Sequence, residues 1–209
     1  DVFLGMFMNP DKIFFGDPDS NFSRTITLTE NFKEWRVFAF DAENDGDLDI
    51  AIGHQHSESG RLLVNDGSGG FTSKSSANIS GIQRAVTGAD FNKDGKIDLV
   101  DVYYSKATKS NGDGTFSSYP GGDFFGLGSL VAMMDGVMTG DVNNDGFEDV
   151  LVTGEGNWGV SVFLNSAGNG FTYNSRFANE QSNNSISMDL GDIDNDGDTD
   201  SSDEYLHKR

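Results

Sequence analysis

Four nine-residue segments carry most of the chemistry legible in this chain: "DAENDGDLD" from Asp41, "DFNKDGKID" from Asp90, "DVNNDGFED" from Asp141 and "DIDNDGDTD" from Asp192. Position 1 is Asp41, Asp90, Asp141 and Asp192; position 3 is Glu43, Asn92, Asn143 and Asp194. Position 5 is Asp45, Asp94, Asp145 and Asp196, a glycine follows at position 6, and position 9 is Asp49, Asp98, Asp149 and Asp200. Oxygens at alternate positions of a short loop, with glycine where the chain turns sharply, suit a hard divalent cation that takes six to eight oxygen ligands. Position 7 is Asp47, Lys96, Phe147 and Asp198; lysine and phenylalanine cannot ligate by their side chains, as expected if only the backbone carbonyl is used there. Glu43 is one methylene longer than its counterparts, which predicts a distorted or weaker first site.

An Asx turn is the plainer reading of any single such loop. Four in register favour calcium, at about four sites. Magnesium demands stricter octahedral geometry, and zinc has no Cys and only His54, His56 and His207 to bind. The "HQH" pair reads as solvated loop. An EF-hand also needs a carboxylate at position 12 and a following helix. Position 12 is Ile52, Asp101, Val152 and Asp203, and the first three lie in apolar, strand-like runs. The fourth loop lacks such a run and reads either as a dockerin-like or EF-hand start or as a frayed blade end.

The elements that position these loops follow from their spacing. The first aspartates lie 49, 51 and 51 residues apart. Between them recur "NDGSGGF", "NGDGTF" and "NSAGNGF", ending at Phe71, Phe116 and Phe171, with "GDPDSNF" at Phe22 a weaker member. Alternating runs such as Val37–Phe40 precede the loops, and apolar runs such as Asp49–Ile52, then 61–65 or 160–165, follow them. Four short strands per repeat predict an all-β chain: a β-propeller of about four blades of roughly fifty residues, over 1–48, 49–97, 98–148 and 149–200, with a tail at 201–209. The recurrent phenylalanine is expected to plug the core between blades. "DVFLG" at Asp1 matches the runs after the loops, so the chain is expected to begin just after a further acidic loop.

Composition excludes some functions. The net charge is −20, and seventeen of the 34 acidic residues lie in the four loops. Such a surface does not bind nucleic acid through phosphates. No run of 18 apolar residues is present, so no membrane insertion is expected. The chain opens on "DVFLGMF", which reads as a processed or excerpted chain and leaves a removed signal peptide open. No catalytic residue is expected, because no nucleophile elbow, P-loop or zinc-protease motif occurs. Glu58, Glu155 and Asp123 stay available for pairing in space. Trp35, Trp158, Tyr103, Tyr104 and Tyr119 are the aromatics able to stack on a sugar, though core packing explains each more simply. Sequons at Asn21, Asn78 and Asn183 occur at about the chance rate.

The paired motifs, "TGADFNKDGKIDLV" and "NGDGTF" above all, resemble the FG-GAP/VCBS repeat family, the calcium-loop β-propellers that include integrin α-subunit heads and several fungal and bacterial lectins. The resemblance implies that the loop residues above are calcium ligands joining strands within each blade. It also implies seven or eight blades, so the chain is expected to be part of a larger ring, to close as four, or to assemble with another chain. The function it implies is a secreted or cell-surface, calcium-stabilised, non-catalytic module that binds a protein or a glycan. A lectin proper with sugar sites between blades, the propeller part of a polysaccharide-active enzyme and an architectural repeat are the alternatives.

Overall fold

Strands in this chain are short and end at the acidic loops and glycine turns, where the backbone leaves the extended region. The computed structural model describes residues 2–4, 11–16, 18–19, 22–28, 34–54, 60–77, 79, 85–101, 106–123, 134–154, 160–177, 189–191 and 200–201. Strands β1 (Val2–Leu4), β2 (Lys12–Phe15) and β3 (Arg24–Thr27) form a first antiparallel sheet. A second sheet follows from β4 (Glu34–Phe40), β5 (Asp49–His54), β6 (Arg61–Asn65) and β7 (Phe71–Ser73), with a single 3-10 turn after it at Ser75–Ala77. The third comprises β8 (Val86–Ala89), β9 (Asp98–Asp101), β10 (Lys106–Ser110) and β11 (Phe116–Asp123). The fourth comprises β12 (Met134–Gly140), β13 (Asp149–Gly154), β14 (Val160–Asn165) and β15 (Phe171–Phe177). A two-stranded pair, β16 (Leu190–Gly191) and β17 (Asp200–Ser201), comes last.

All three four-stranded sheets are meanders in chain order, and each acidic loop joins the first strand to the second. The register is the same every time. The residue before position 1 pairs with position 9: Phe40 with Asp49, Ala89 with Asp98, Gly140 with Asp149 and Gly191 with Asp200. Position 12 is strand in the first three repeats, and Asp200–Ser201 is strand at the fourth. These are therefore strand–loop–strand units rather than EF-hands as far as the described residues reach.

Alternation along the second strand of each sheet makes the stack. Ile50 and Ile52 face the first sheet and join Ile13, Phe15 and Ile26, while Ala51 faces the third sheet and joins Val86, Leu99 and Phe116. Val100 faces the fourth sheet and meets Val150, Val152 and Phe163, and Leu151 turns onward with Val160 and Leu190. A side-chain period of two thus gives each four-stranded sheet two buried faces, and each core cluster is shared by neighbours. The first strands β4, β8 and β12 lie side by side.

The recurrent phenylalanine opens the fourth strand of each blade. Phe116 is fully buried, and Phe71 and Phe171 are partly buried against the inter-blade clusters. Phe22 departs from this pattern. It lies outside β3, with 40% exposure and a φ of 46°. Among the described residues, no helix is long and apolar enough to cross a membrane.

Candidate functional site

The acidic loops are built by their own side chains capping their own amides. In the first loop, the Asp45 and Gly46 amides donate to the two oxygens of Asp41, at 3.1 and 2.9 Å. In the second, the Asp94 and Gly95 amides reach Asp90 at 2.9 and 2.7 Å, and in the third the Asp145 and Gly146 amides reach Asp141 at 3.1 and 2.7 Å. Position 5 repeats the motif: Asp45, Asp94 and Asp145 accept from the amides of Asp47, Lys96 and Phe147. Two left-handed residues make the turn. Position 6 is glycine with φ of 95°, 83° and 85°, and position 4 is Asn44, Lys93 and Asn144 with φ of 56°, 60° and 56°. Asparagine tolerates that region, whereas lysine has no local hydrogen bond to offset the steric cost.

Position 9 ties the loop to the sheet. Asp49 accepts from the Ala42 amide at 2.8 Å and from the Asn65 amide, at the end of the third strand, at 2.8 Å. Asp149 accepts from Val142 and Asn165 in the same way, at 3.1 and 2.7 Å. The second loop differs. Asp98 accepts from Ser110 at 2.8 Å, but the Phe91 amide, which stands where Ala42 and Val142 do, turns to the Ala89 carbonyl. Asp98 Oδ2 is left buried with no hydrogen-bond partner.

Carboxyl acidities follow this bonding. Burial pushes Asp98 up to about 7 despite the Ser110 amide, and repulsion from Asp94 and Asp90 adds to the rise. Asp149 goes to about 6, with burial opposed by the Asn165 and Val142 amides and supported by Asp145 and Asp141. Asp49 rises for the same reasons, burial first. At Asp94 burial also raises the pKa, but the Lys109 ammonium at 3.0 Å, by hydrogen bond and by charge, brings it below the ordinary value.

The loops are also the joints between blades. The hairpin turns of the third and fourth sheets dock on the acidic loop of the sheet before them, whereas the second sheet's turn meets Arg24 and Phe15 of the first. Gly114 donates to the Ala42 carbonyl at 3.0 Å, and Asn165 Nδ2 donates to the Phe91 carbonyl at 2.9 Å and to the Glu148 carbonyl at 3.0 Å. Gly168, at φ 79°, lies so close that a Cβ there would sit 3.0 Å from Asn92 Cα. Lys74 Nζ bridges the Glu43 carboxylate and the Asp113 carbonyl. The position-7 side chains turn away from their loops: Lys96 donates to the Asn111 carbonyl at 3.2 Å, and the Phe147 ring lies under Lys93 Nζ, 4.1 Å from its centroid.

Among the described residues, no three carboxylate or imidazole groups converge as a ready cation cage, because the carboxylates are turned onto loop amides. The donor set still fits a hard cation. Its side-chain donors are all oxygens, a carboxylate oxygen bonded to one amide keeps a second lone pair, and Asp98 Oδ2 keeps both. Asp41, Glu43, Asp45, Asp47 and Asp49 lie in the first loop, Asp90, Asn92, Asp94, Lys96 and Asp98 in the second, and Asp141, Asn143, Asp145, Phe147 and Asp149 in the third, with the Glu43, Lys96 and Phe147 side chains directed outward. Asp192, Asp194, Asp196 and Asp198 lie outside the described residues, as do His56, Glu58, Tyr103, Tyr104, Glu155, Trp158 and His207 and the sequons' Asn21, Asn78 and Asn183. So do the side chains of Trp35, His54, Asp123 and Asp200. Tyr119 is not a sugar platform: it is 4% exposed, packs edge-on against Phe91 and donates its hydroxyl to the Gly168 carbonyl at 3.2 Å. Sequence reading missed the partner of position 9. Counting six back from Phe71, Phe116 and Phe171 gives Asn65, Ser110 and Asn165, a regularity hidden by the serine.

Four-stranded antiparallel meanders, stacked face to face with their first strands side by side, define a β-propeller architecture. A model of the FG-GAP-like repeat matches residues 44–100 and 141–201, more than half of the chain, and the chain belongs to that family. A lectin from Agrocybe aegerita, described for its specific recognition of non-reducing terminal N-acetylglucosamine, superposes with a TM-score of 0.55 at 22% identity, covering 78% of this chain and 44% of the lectin. The Tc holotoxin pore of Photorhabdus luminescens superposes at a TM-score of 0.47 and 22% identity, covering 79% of this chain and 8% of that one. The chain therefore spans less than half the length of these two structures. No curated protein sequence matches it.

Proposed function

We propose that the chain is a calcium-stabilised, extracellular, non-catalytic binding module whose acidic loops hold Ca²⁺ as rivets within and between blades. The observation that carries this reading is the position of the loops. Each closes the first strand pair of a sheet in one register, and the next blade's turn rests on the first two of them. Asp41, Asp90 and Asp141 with their partners at positions 3, 5 and 9 would hold the ion, and it would supply charge neutralisation where carboxylates crowd. Clustered carboxylates repel one another without a cation, so the metal belongs to the folded state and its binding adds to stability.

Calcium at a hundred times its Kd adds about 2.7 kcal/mol per filled site, or roughly 5–10 °C in Tm for a domain of this size. A thermal melt in calcium and in EDTA tests the reading, and identical midpoints would refute it. The fold is shared with a lectin, so glycans are the first ligand class to test. A glycan array probed with and without EDTA separates sugar binding from recognition of a protein partner. Assembly with further blades or with another chain goes with this reading.

A further inference from the structure

We infer that the three described loops fill with Ca²⁺ in a fixed order, the second loop first and the first loop last, because the loop carboxylates are committed to different internal partners. The inference rests on the calcium reading above and concerns what each loop must give up to take the ion.

The second loop gives up least. Asp98 is fully buried and its Oδ2 has no hydrogen-bond donor, since the Phe91 amide has turned to Ala89. A buried carboxylate oxygen without a donor is costly, and a cation is the partner that removes the cost without moving the backbone. Lys109 pairs with Asp94 in this loop, but both side chains are about one-third exposed, and such surface pairs yield readily.

In the third loop, both Asp149 oxygens already accept amides, and no lysine in the described residues pairs with Asp141, Asp145 or Asp149. Coordination there shares oxygens with amides and breaks no ion pair, the nearby Lys93 ammonium resting on the Phe147 ring rather than on a carboxylate.

The first loop carries its own cation. In the other two loops the position-3 oxygen stays inside, Asn92 and Asn143 accepting from the Asp94 and Asp145 amides at 2.9 Å. Glu43 instead reaches outward to Lys74, which is anchored a second time on the Asp113 carbonyl of the next blade. A calcium ion entering this loop meets the Lys74 ammonium at position 3, and expelling it loosens the joint to the third sheet. The first loop, with five carboxylates, is thus the one whose position-3 oxygen is already held by a lysine.

Calorimetric titration of Ca²⁺ into the calcium-stripped chain carrying Asp196→Ala, which removes the fourth loop, tests the order. Asp94→Ala should abolish the tightest binding event, and Asp45→Ala the weakest. Lys74→Met, which keeps the aliphatic stem, should tighten the weakest event roughly ten-fold, the scale of a divalent ion relieved of a unit charge a few ångströms away in a water-like dielectric. Asp45→Ala should then remove the tightened event. Survival of the tightest event in Asp94→Ala, or an unchanged weakest event in Lys74→Met, overturns the order. Absence of binding heat at every loop overturns the calcium reading itself and takes the order with it. In EDTA, a Lys74→Met/Glu43→Gln double variant that melts as the worse single variant does supports the internal pair, and strict additivity counts against it.

Discussion

Acidifying the protein distinguishes empty loops from filled ones, because the buried position-9 carboxylates respond to the two states with opposite sign. In the empty state Asp98 has a folded pKa of about 7 against 3.8 for the free residue. A folded pKa above the unfolded one means that stability is fully present below pH 3.8 and is lost as pH rises through 7. A shift of about 3 units corresponds to about 4 kcal/mol in total, at 1.36 kcal/mol per unit. About half of it, roughly 2 kcal/mol, is recovered between pH 8 and pH 5.5, and Asp149, at about 6, adds a smaller part in the same direction. For a chain of this length that is a rise in Tm of about 5 °C in EDTA. With calcium present the slope should reverse, since protons compete for the ligand oxygens. Melts followed by circular dichroism at pH 5.5, 6.5, 7.5 and 8, in EDTA and in calcium, read both slopes. Asp98→Asn keeps an acceptor for the Ser110 amide and cannot titrate, so in EDTA its melt should be flatter with pH than that of the unmodified chain. Parallel pH profiles for the two proteins in EDTA, or a midpoint that falls on acidification, would refute the reasoning.

Other substitutions test the joints. Asn165→Ala removes the donor to the Phe91 and Glu148 carbonyls and should cost about 2–4 kcal/mol in denaturant melts, since two poorly solvated acceptors lose their partner. Gly168→Ala introduces a Cβ about 3.0 Å from Asn92 Cα at a positive φ, and should cost about 1–3 kcal/mol by the same measurement. Tyr119→Phe should lose about 1 kcal/mol, one hydrogen bond, and leave any glycan-array signal unchanged; a lost signal would show that this buried ring does contact ligand.

The acidic loops and strands were legible because both depend on short-range regularities. Alternate oxygens followed by glycine predict the loop from Asp141 to Asp149, and alternation about Ile50, Ala51 and Ile52 predicts a strand buried on both faces. What the residues did not announce are contacts between blades. Lys74 finds the Asp113 carbonyl across 39 residues and Asn165 finds Phe91 across 74, distances set by how sheets stack rather than by any local pattern. Ser110 concealed the anchor of position 9, because it supplies a backbone amide, which any residue has. The left-handed Lys93 and the idle oxygen of Asp98 belong to the same loop, where the Phe91 amide turns away; nothing in the types of these residues marks the difference.

Each described joint sets a turn from one sheet against a loop or strand of the sheet before it. A duplication or deletion of one whole repeat therefore leaves each turn a neighbouring sheet to dock on, with only the joint at the cut to refit. Selection on such a chain can change the number of stacked sheets, and with it the length of the stack, by adjusting nearest-neighbour contacts alone.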